Sequence, residues 1–437
     1  MYLFGASLWF PGFALFNAAG AWGLQIALAI ALVLAGMMVL IMLGPSNPTA
    51  TMAERRPWMV YFGLAMLMEV LCTLTSASGV AKSVQTFGVE AFGWILSLTA
   101  AWWFCVDTGN IETFLRGFKA AGYFSGGYAI YQLIGLKVGL PLAFIPLNNQ
   151  SFSEIDFAMA ADLGRANAFT PEPSVLASLL MVMIGMTFAD VILEGGYKRY
   201  ALFLWMLLAF LATSSQSIAL LPVFLIVVWL YTRTLWRKPR GLMRSDFVGI
   251  GCMVTGMLAV VLLSEAVMTS FSRLTDPAHN ESATMRFADV IVGSAMFTAR
   301  PLVGQGLGSS GIQMDSFLTA LGIASASGGI TSGFFRVLAE EGIAGLTVLA
   351  YGAYVSLPRR RGEAPSLATA STMAALFCFV VATAVVSAVF VGYRNLYTIW
   401  LIVPAGLSLN TMLASAKARS RQAPPQTAAI APSGISL

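Results

Sequence analysis

The chain has 437 residues, of which 58% are hydrophobic and only 10% charged, with a mean hydropathy of +0.78. A soluble globular domain, in which about a quarter of residues are charged, is excluded. The net charge of +5 is scattered over short loops and so gives no nucleic-acid footprint, and the four cysteines (Cys72, Cys105, Cys252, Cys378) show no CxxC or Cys/His spacing for zinc or redox chemistry.

Many apolar runs reach the roughly 20 residues a helix needs to cross a bilayer, and none alternates like a barrel strand. The expected fold is all-α: a polytopic membrane bundle of about twelve spans, near 2–19, 22–43, 57–77, 87–106, 119–137, 173–193, 199–214, 216–232, 246–267, 335–356, 366–389 and 396–413. The first is short, contains Pro11 and lacks the basic region of a cleaved leader. Lysine and arginine set the orientation. Arg55 and Arg56, Arg116 and Lys119, Lys198 and Arg199, the run from Arg233 to Arg244, Arg359 to Arg361 and Lys417 to Arg421 thread onto one side, which is expected to be cytoplasmic with both termini. Two longer segments, about 138–172 and 268–334, then lie outside. The bundle is expected to fill 1–416 as one domain, with 417–437 a disordered cytoplasmic tail. No internal repeat supports an inverted-repeat transporter.

Charges are so few that those of the outer segments can be weighed singly. RANAFTPEPSVLASLL, Arg165 to Leu180, carries Arg165 and Glu172 to the mouth of a span. Pro171 and Pro173 suit a first helical turn, so Glu172 stands at the positive end of that helix. It either complements the helix dipole or works chemically. In the second segment, a helix over Met285 to Arg300 would put Arg286, Asp289, Gly293, Phe297 and Arg300 within one third of its circumference, a cationic stripe unless Arg286 and Asp289 simply pair at i,i+3. PLVGQGLGSSG follows, with four glycines in eight residues from Gly304, but without the GK[ST] ending of a phosphate loop. Arg336, Glu340 and Glu341 then open the tenth span, where Arg336 and Glu340 either pair at i,i+4 or mark a functional site.

These patches resemble the O-antigen polymerase and ligase superfamily, most closely its Wzy-type exopolysaccharide repeat-unit polymerases. RANAFTPEPSVLASLL is similar to the family's Arg-x-x-x-x-Phe-x-(Glu/Asn)-Pro-(Ser/Asn) start of a span, and TSSQS resembles its Thr-x-Ser-Arg-Ser turn with Gln216 in place of arginine. MRFADVIVGSAMFTARPLVGQGLG and FFRVLAEEGIAGL resemble its Arg-led helix, Pro-Leu-x-Gly-x-Gly-x-Gly turn and Glu-x-Gly-x-x-Gly span start. Where ligases and some polymerases of the family carry His-Asn, this chain has Thr331 and Ser332.

The resemblance implies a GT-C-like bundle in a bacterial inner membrane that acts at its periplasmic face. It would join undecaprenyl-diphosphate-linked oligosaccharides into an exopolysaccharide or O-antigen, with no cofactor and no metal. Glu172, Arg286 and Arg165 are the expected catalytic residues. Arg165, Arg286, Arg336, Arg300, Glu340 and His279 are expected to hold diphosphate or glycan. Membrane lipid, a chain-length regulator and export machinery are the implied partners, and nucleic acid is not. The alternatives are a ligase that transfers finished glycan and a polysaccharide or lipid-linked sugar transporter.

Overall fold

The computed structural model describes residues 1–18, 22–43, 52–145, 147, 165–213, 215–235, 281–320, 329–358, 364, 366–389 and 397–422. Its helices are α1 (Tyr2–Ser7), α2 (Ile26–Leu43), α3 (Met52–Leu74), α4 (Val80–Val106), α5 (Thr108–Val138), α6 (Pro173–Glu194), α7 (Tyr197–Ala212), α8 (Leu221–Leu235), α9 (Glu281–Ala299), α10 (Ser310–Ala320), α11 (Gly333–Ser356), α12 (Leu367–Val389), α13 (Tyr397–Trp400) and α14 (Ile402–Gln422). A single 3-10 turn, Gln216–Leu220, leads into α8. The protein is a helical membrane bundle: among the described residues six helices are long and apolar enough to cross a bilayer. The expected span at 246–267 lies outside the described residues, as do Cys252 and His279.

The expected first span is corrected. Helix α1 stops at Ser7, and a hairpin follows, β1 (Ala14–Ala18) antiparallel to β2 (Trp22–Gln25). Pro11 cannot donate to a helix, and just beyond it the Gly12 N–H binds the Phe169 carbonyl at 3.1 Å, so the chain is drawn across to the segment ahead of α6. The tail differs as well, since α14 continues through Lys417 to Gln422.

Helix α6 is the axis of the bundle. Its apolar residues run all round, so it is stable only when surrounded, and 89% of its most apolar window is buried. It packs on α12, α7 and α8. Near its C-terminus Asp190 accepts from Lys119 of α5 and from Ser371 of α12, both at 2.7 Å. Five residues back, Gly185 faces Cys378. The pairs Asp190/Ser371 and Gly185/Cys378 make α6 and α12 antiparallel, so the start of α6 lies at the same end as the finish of α12. There Ser332, the N-cap of α11, donates from Oγ to the Ala388 carbonyl at 2.8 Å. Glu172, Thr213 and Ser332 therefore share one end of the bundle. Lys119, Lys198, Arg199 and Arg233 gather at the other, where the Ala364 N–H binds the Leu235 carbonyl just before α12 begins.

Candidate active site

The shared end is built in two halves. The first is the irregular segment 165–172. Its flanking charges, Arg165 and Glu172, are half-buried, and everything between them is buried. Arg165 donates from Nε to the Thr213 carbonyl at 3.1 Å, and the next residue's N–H binds the Ala212 carbonyl at 3.0 Å, so the segment lies across the end of α7. Phe169 is held among Phe10, Phe13, Phe124 and Tyr128, the last two stacked on it with ring centroids 5.5 and 4.7 Å away. Glu172 is the N-cap of α6, one residue outside the first turn expected for it. Its carboxylate makes no capping hydrogen bond to the helix and instead accepts from Ser174 Oγ at 2.7 Å.

The second half comprises α9, the glycine turn, α10 and α11. Helices α9 and α11 run side by side in the same direction: Asp289 is level with Thr331, and Gly293 lies against Phe335. Asp289 is 1% exposed, and its Oδ2 accepts from the N–H of Thr331 (3.0 Å), the N–H of Ser332 (3.1 Å) and the Thr331 hydroxyl. That places a carboxylate just ahead of α11, where it binds the N–H groups of the N-cap Ser332 and the residue before it and complements the helix dipole. The centre of the expected cationic stripe therefore packs against α11, while Arg300 lies just beyond the end of α9, exposed, with Nη1 on the Thr75 carbonyl at 3.0 Å. Arg286 sits in α9 less than one turn before Asp289.

The glycine turn is an architectural joint. Helix α11 breaks at Gly342 (φ 65°, ψ −154°), and the backbone groups released there are bound by the turn. Gln305 and Gly306 donate to the Ala339 and Glu340 carbonyls at 2.8 and 3.0 Å, while Ile343 and Ala344 donate to the Pro301 and Leu302 carbonyls at 2.9 and 3.1 Å. Gly304, Gly306 and Gly308 all have positive φ, and a Cβ on Gly304 would stand 2.3 Å from the carbonyl carbon of Glu340. Glu340, fully buried, binds this joint together: Oε2 accepts from the Gly308 N–H (3.1 Å), and Oε1 from the Ser310 N–H (3.3 Å) and Ser310 Oγ (2.5 Å). It thereby caps α10. Arg336 comes within 3.4 Å of the same oxygen, so the i,i+4 pairing is present.

The structure thus puts Arg165, Glu172, Arg300, Arg336, Asp289 and Glu340 at one end of the bundle, in two groups joined through α12. Thr331 is hydrogen-bonded to Asp289 through both its N–H and its hydroxyl. Sequence reasoning missed Gln132 and Asn167, whose buried amides organise the first half, because a glutamine in an apolar helix carries no signal. It also passed over Glu69 and Glu90, buried in α3 and α4; Glu69 accepts from the Trp94 indole at 2.7 Å. An acid within a span was itself the available signal there.

Residues 201–350 match the family model described as O-antigen ligase. No curated protein and no solved structure matches the chain. The matched stretch runs from α7 to the far side of the Gly342 kink, taking in α9, the glycine turn and α10, while Arg165 and Glu172 precede it. Over that stretch, about a third of its length, the chain is similar to the O-antigen ligase family.

Proposed function

We propose that the protein polymerises lipid-linked oligosaccharide repeat units at the periplasmic face of the inner membrane. The observation that carries this reading is the gathering of Arg165, Glu172, Arg300 and Arg336 at one end of the bundle, opposite the end that holds Lys119, Lys198, Arg199 and Arg233. By the positive-inside rule the second end faces the cytoplasm. In the reaction the bond between the glycan's anomeric carbon and the diphosphate breaks, and undecaprenyl diphosphate leaves with the electron pair. A hydroxyl of the next repeat unit bonds to that carbon and gives up its proton.

Arg165, Arg286 and Arg336 hold the diphosphate in this reading, because a guanidinium stays charged and grips phosphate oxygens in pairs. They do so without a metal ion. Arg300 and His279 are assigned to glycan binding in the same reading. Asp289, through Oδ2, and Glu340, through both carboxylate oxygens, act through architecture at the starts of α11 and α10. Glu172, whose carboxylate is not engaged in capping, receives or orients the acceptor proton. Ser174 fixes that carboxylate from one side.

The matched family is described by ligation, which supports a second reading in which the acceptor is a finished lipid or protein rather than a repeat unit. Purified protein given one defined undecaprenyl-diphosphate-linked repeat unit separates the two. A ladder of products supports the polymerase, whereas product only when a separate glycolipid or protein acceptor is added supports the ligase.

A further inference from the structure

Between Arg165 and Glu172 the chain has no regular secondary structure, and the N–H groups of Asn167 and Ala168 point into the interior. Both donate to one atom, Oε1 of Gln132, at 3.0 and 2.8 Å. Gln132 lies in the last two turns of α5, is 2% exposed, and donates from its own Nε2 to Asn167 Oδ1 at 2.8 Å. Asn167, 3% exposed, passes the connection on by donating from Nδ2 to the Thr170 carbonyl at 3.0 Å. Ala168 is held at φ 47°, a left-handed conformation uncommon for a residue with a side chain. One side-chain amide thus does for this segment what a neighbouring strand does in a sheet.

We infer that Gln132 is a positioning residue: by clamping Asn167 and Ala168 it fixes the spacing and direction of Arg165 and Glu172. The inference rests on the diphosphate and acceptor roles proposed for those two residues. Without the amide, two buried backbone donors lose their acceptor and the segment must shift to find others. Arg165, two residues before the clamp, would shift with it. Glu172 is four residues beyond, coupled through Thr170, whose hydroxyl lies 2.9 Å from the Glu172 carbonyl oxygen.

The test is a double-mutant cycle on the purified full chain in detergent, with undecaprenyl diphosphate itself as the probe and its affinity as the readout. Arg165→Ala and Gln132→Met, which preserves shape and removes the amide, should each weaken binding by about tenfold. The double variant should be no more than about twofold weaker than the worse single, because an arginine already displaced has little left to lose.

A merely structural glutamine would give losses that multiply, and multiplication overturns the inference. So does wild-type affinity in Gln132→Met beside a weakened Arg165→Ala, a result that leaves the diphosphate role of Arg165 standing. Wild-type affinity in Arg165→Ala removes that role, and the inference with it. If Gln132→Met does not accumulate, Asn167→Ala takes its place in the cycle, and multiplicative losses there overturn the inference equally.

Discussion

Glu340 and Ser310, 30 residues apart in sequence, meet at 2.5 Å in the interior, where the carboxylate of one helix closes the start of another. The same glutamate receives the Gly308 N–H and lies 3.4 Å from Arg336, so one buried charge connects the glycine turn, α10 and α11. Asp289 does the equivalent for α11. Glu172 stands at a third helix start and makes no such bond.

This difference predicts opposite stability effects. Removing the Glu340 carboxylate leaves buried N–H donors and a cationic neighbour uncompensated, a change that costs about 3–5 kcal/mol. Glu340→Ala protein should therefore melt far below wild type in detergent or fail to accumulate, while Glu172→Ala should melt within a few degrees of it. Equal melting temperatures for wild type and Glu340→Ala would show that the joint does not depend on this carboxylate.

The joint also predicts a contrast between glycines. Gly304 has φ +65° and no room for a Cβ, whereas Gly63 in α3 has nothing within 4 Å of the added atom. Gly304→Ala should be destabilising by well over about 1 kcal/mol, and Gly63→Ala neutral or slightly stabilising. Thermal melting of the two variants side by side checks this. A tolerant position 304 would contradict the interlock with the Gly342 kink.

Much of this was legible in the sequence, and the remainder was not for identifiable reasons. Hydropathy is enough for a helical membrane bundle, because lipid demands that each span satisfy its own backbone. The prolines around Glu172 mark the start of α6 to within one residue. Hydropathy misreads residues 2–19, since the Phe169 segment that captures Gly12 is remote in sequence. The stripe on α9 was visible as periodicity, but periodicity does not say what a face meets, and Asp289 meets Thr331. Gln132 gave no sign at all, because its partners are 35 and 36 residues away and are mostly backbone.

If arginines grip the diphosphate, charge alone is insufficient. Arg165→Lys, Arg286→Lys and Arg336→Lys should each lose nearly as much polymer as the corresponding alanine variants, since an ammonium retains charge and loses the paired donors. Polymer scored by gel and protein by blot, in cells lacking the native gene, gives the comparison. Lysine variants with near wild-type polymer would reduce these arginines to general surface charge.

The same clamp predicts that glycosyl transfer by purified protein survives chelation. Product yield from a lipid-linked repeat unit should be unchanged by EDTA. A loss restored by magnesium or manganese would mean that an ion performs the neutralisation assigned to arginine.

The most direct test of the proposed chemistry is Glu172→Gln, which preserves size and the N-cap position and removes only the charge. As a helix-dipole partner alone, Glu172 is worth about 1 kcal/mol or less, too little to silence an enzyme. As the group that takes or orients the acceptor proton, it is indispensable. Turnover of a defined lipid-linked repeat unit by purified Glu172→Gln protein, matched to wild type in melting temperature and in undecaprenyl diphosphate affinity, should fall by at least about a hundredfold. Wild-type turnover from that variant would contradict the account and remove the glutamate from the mechanism.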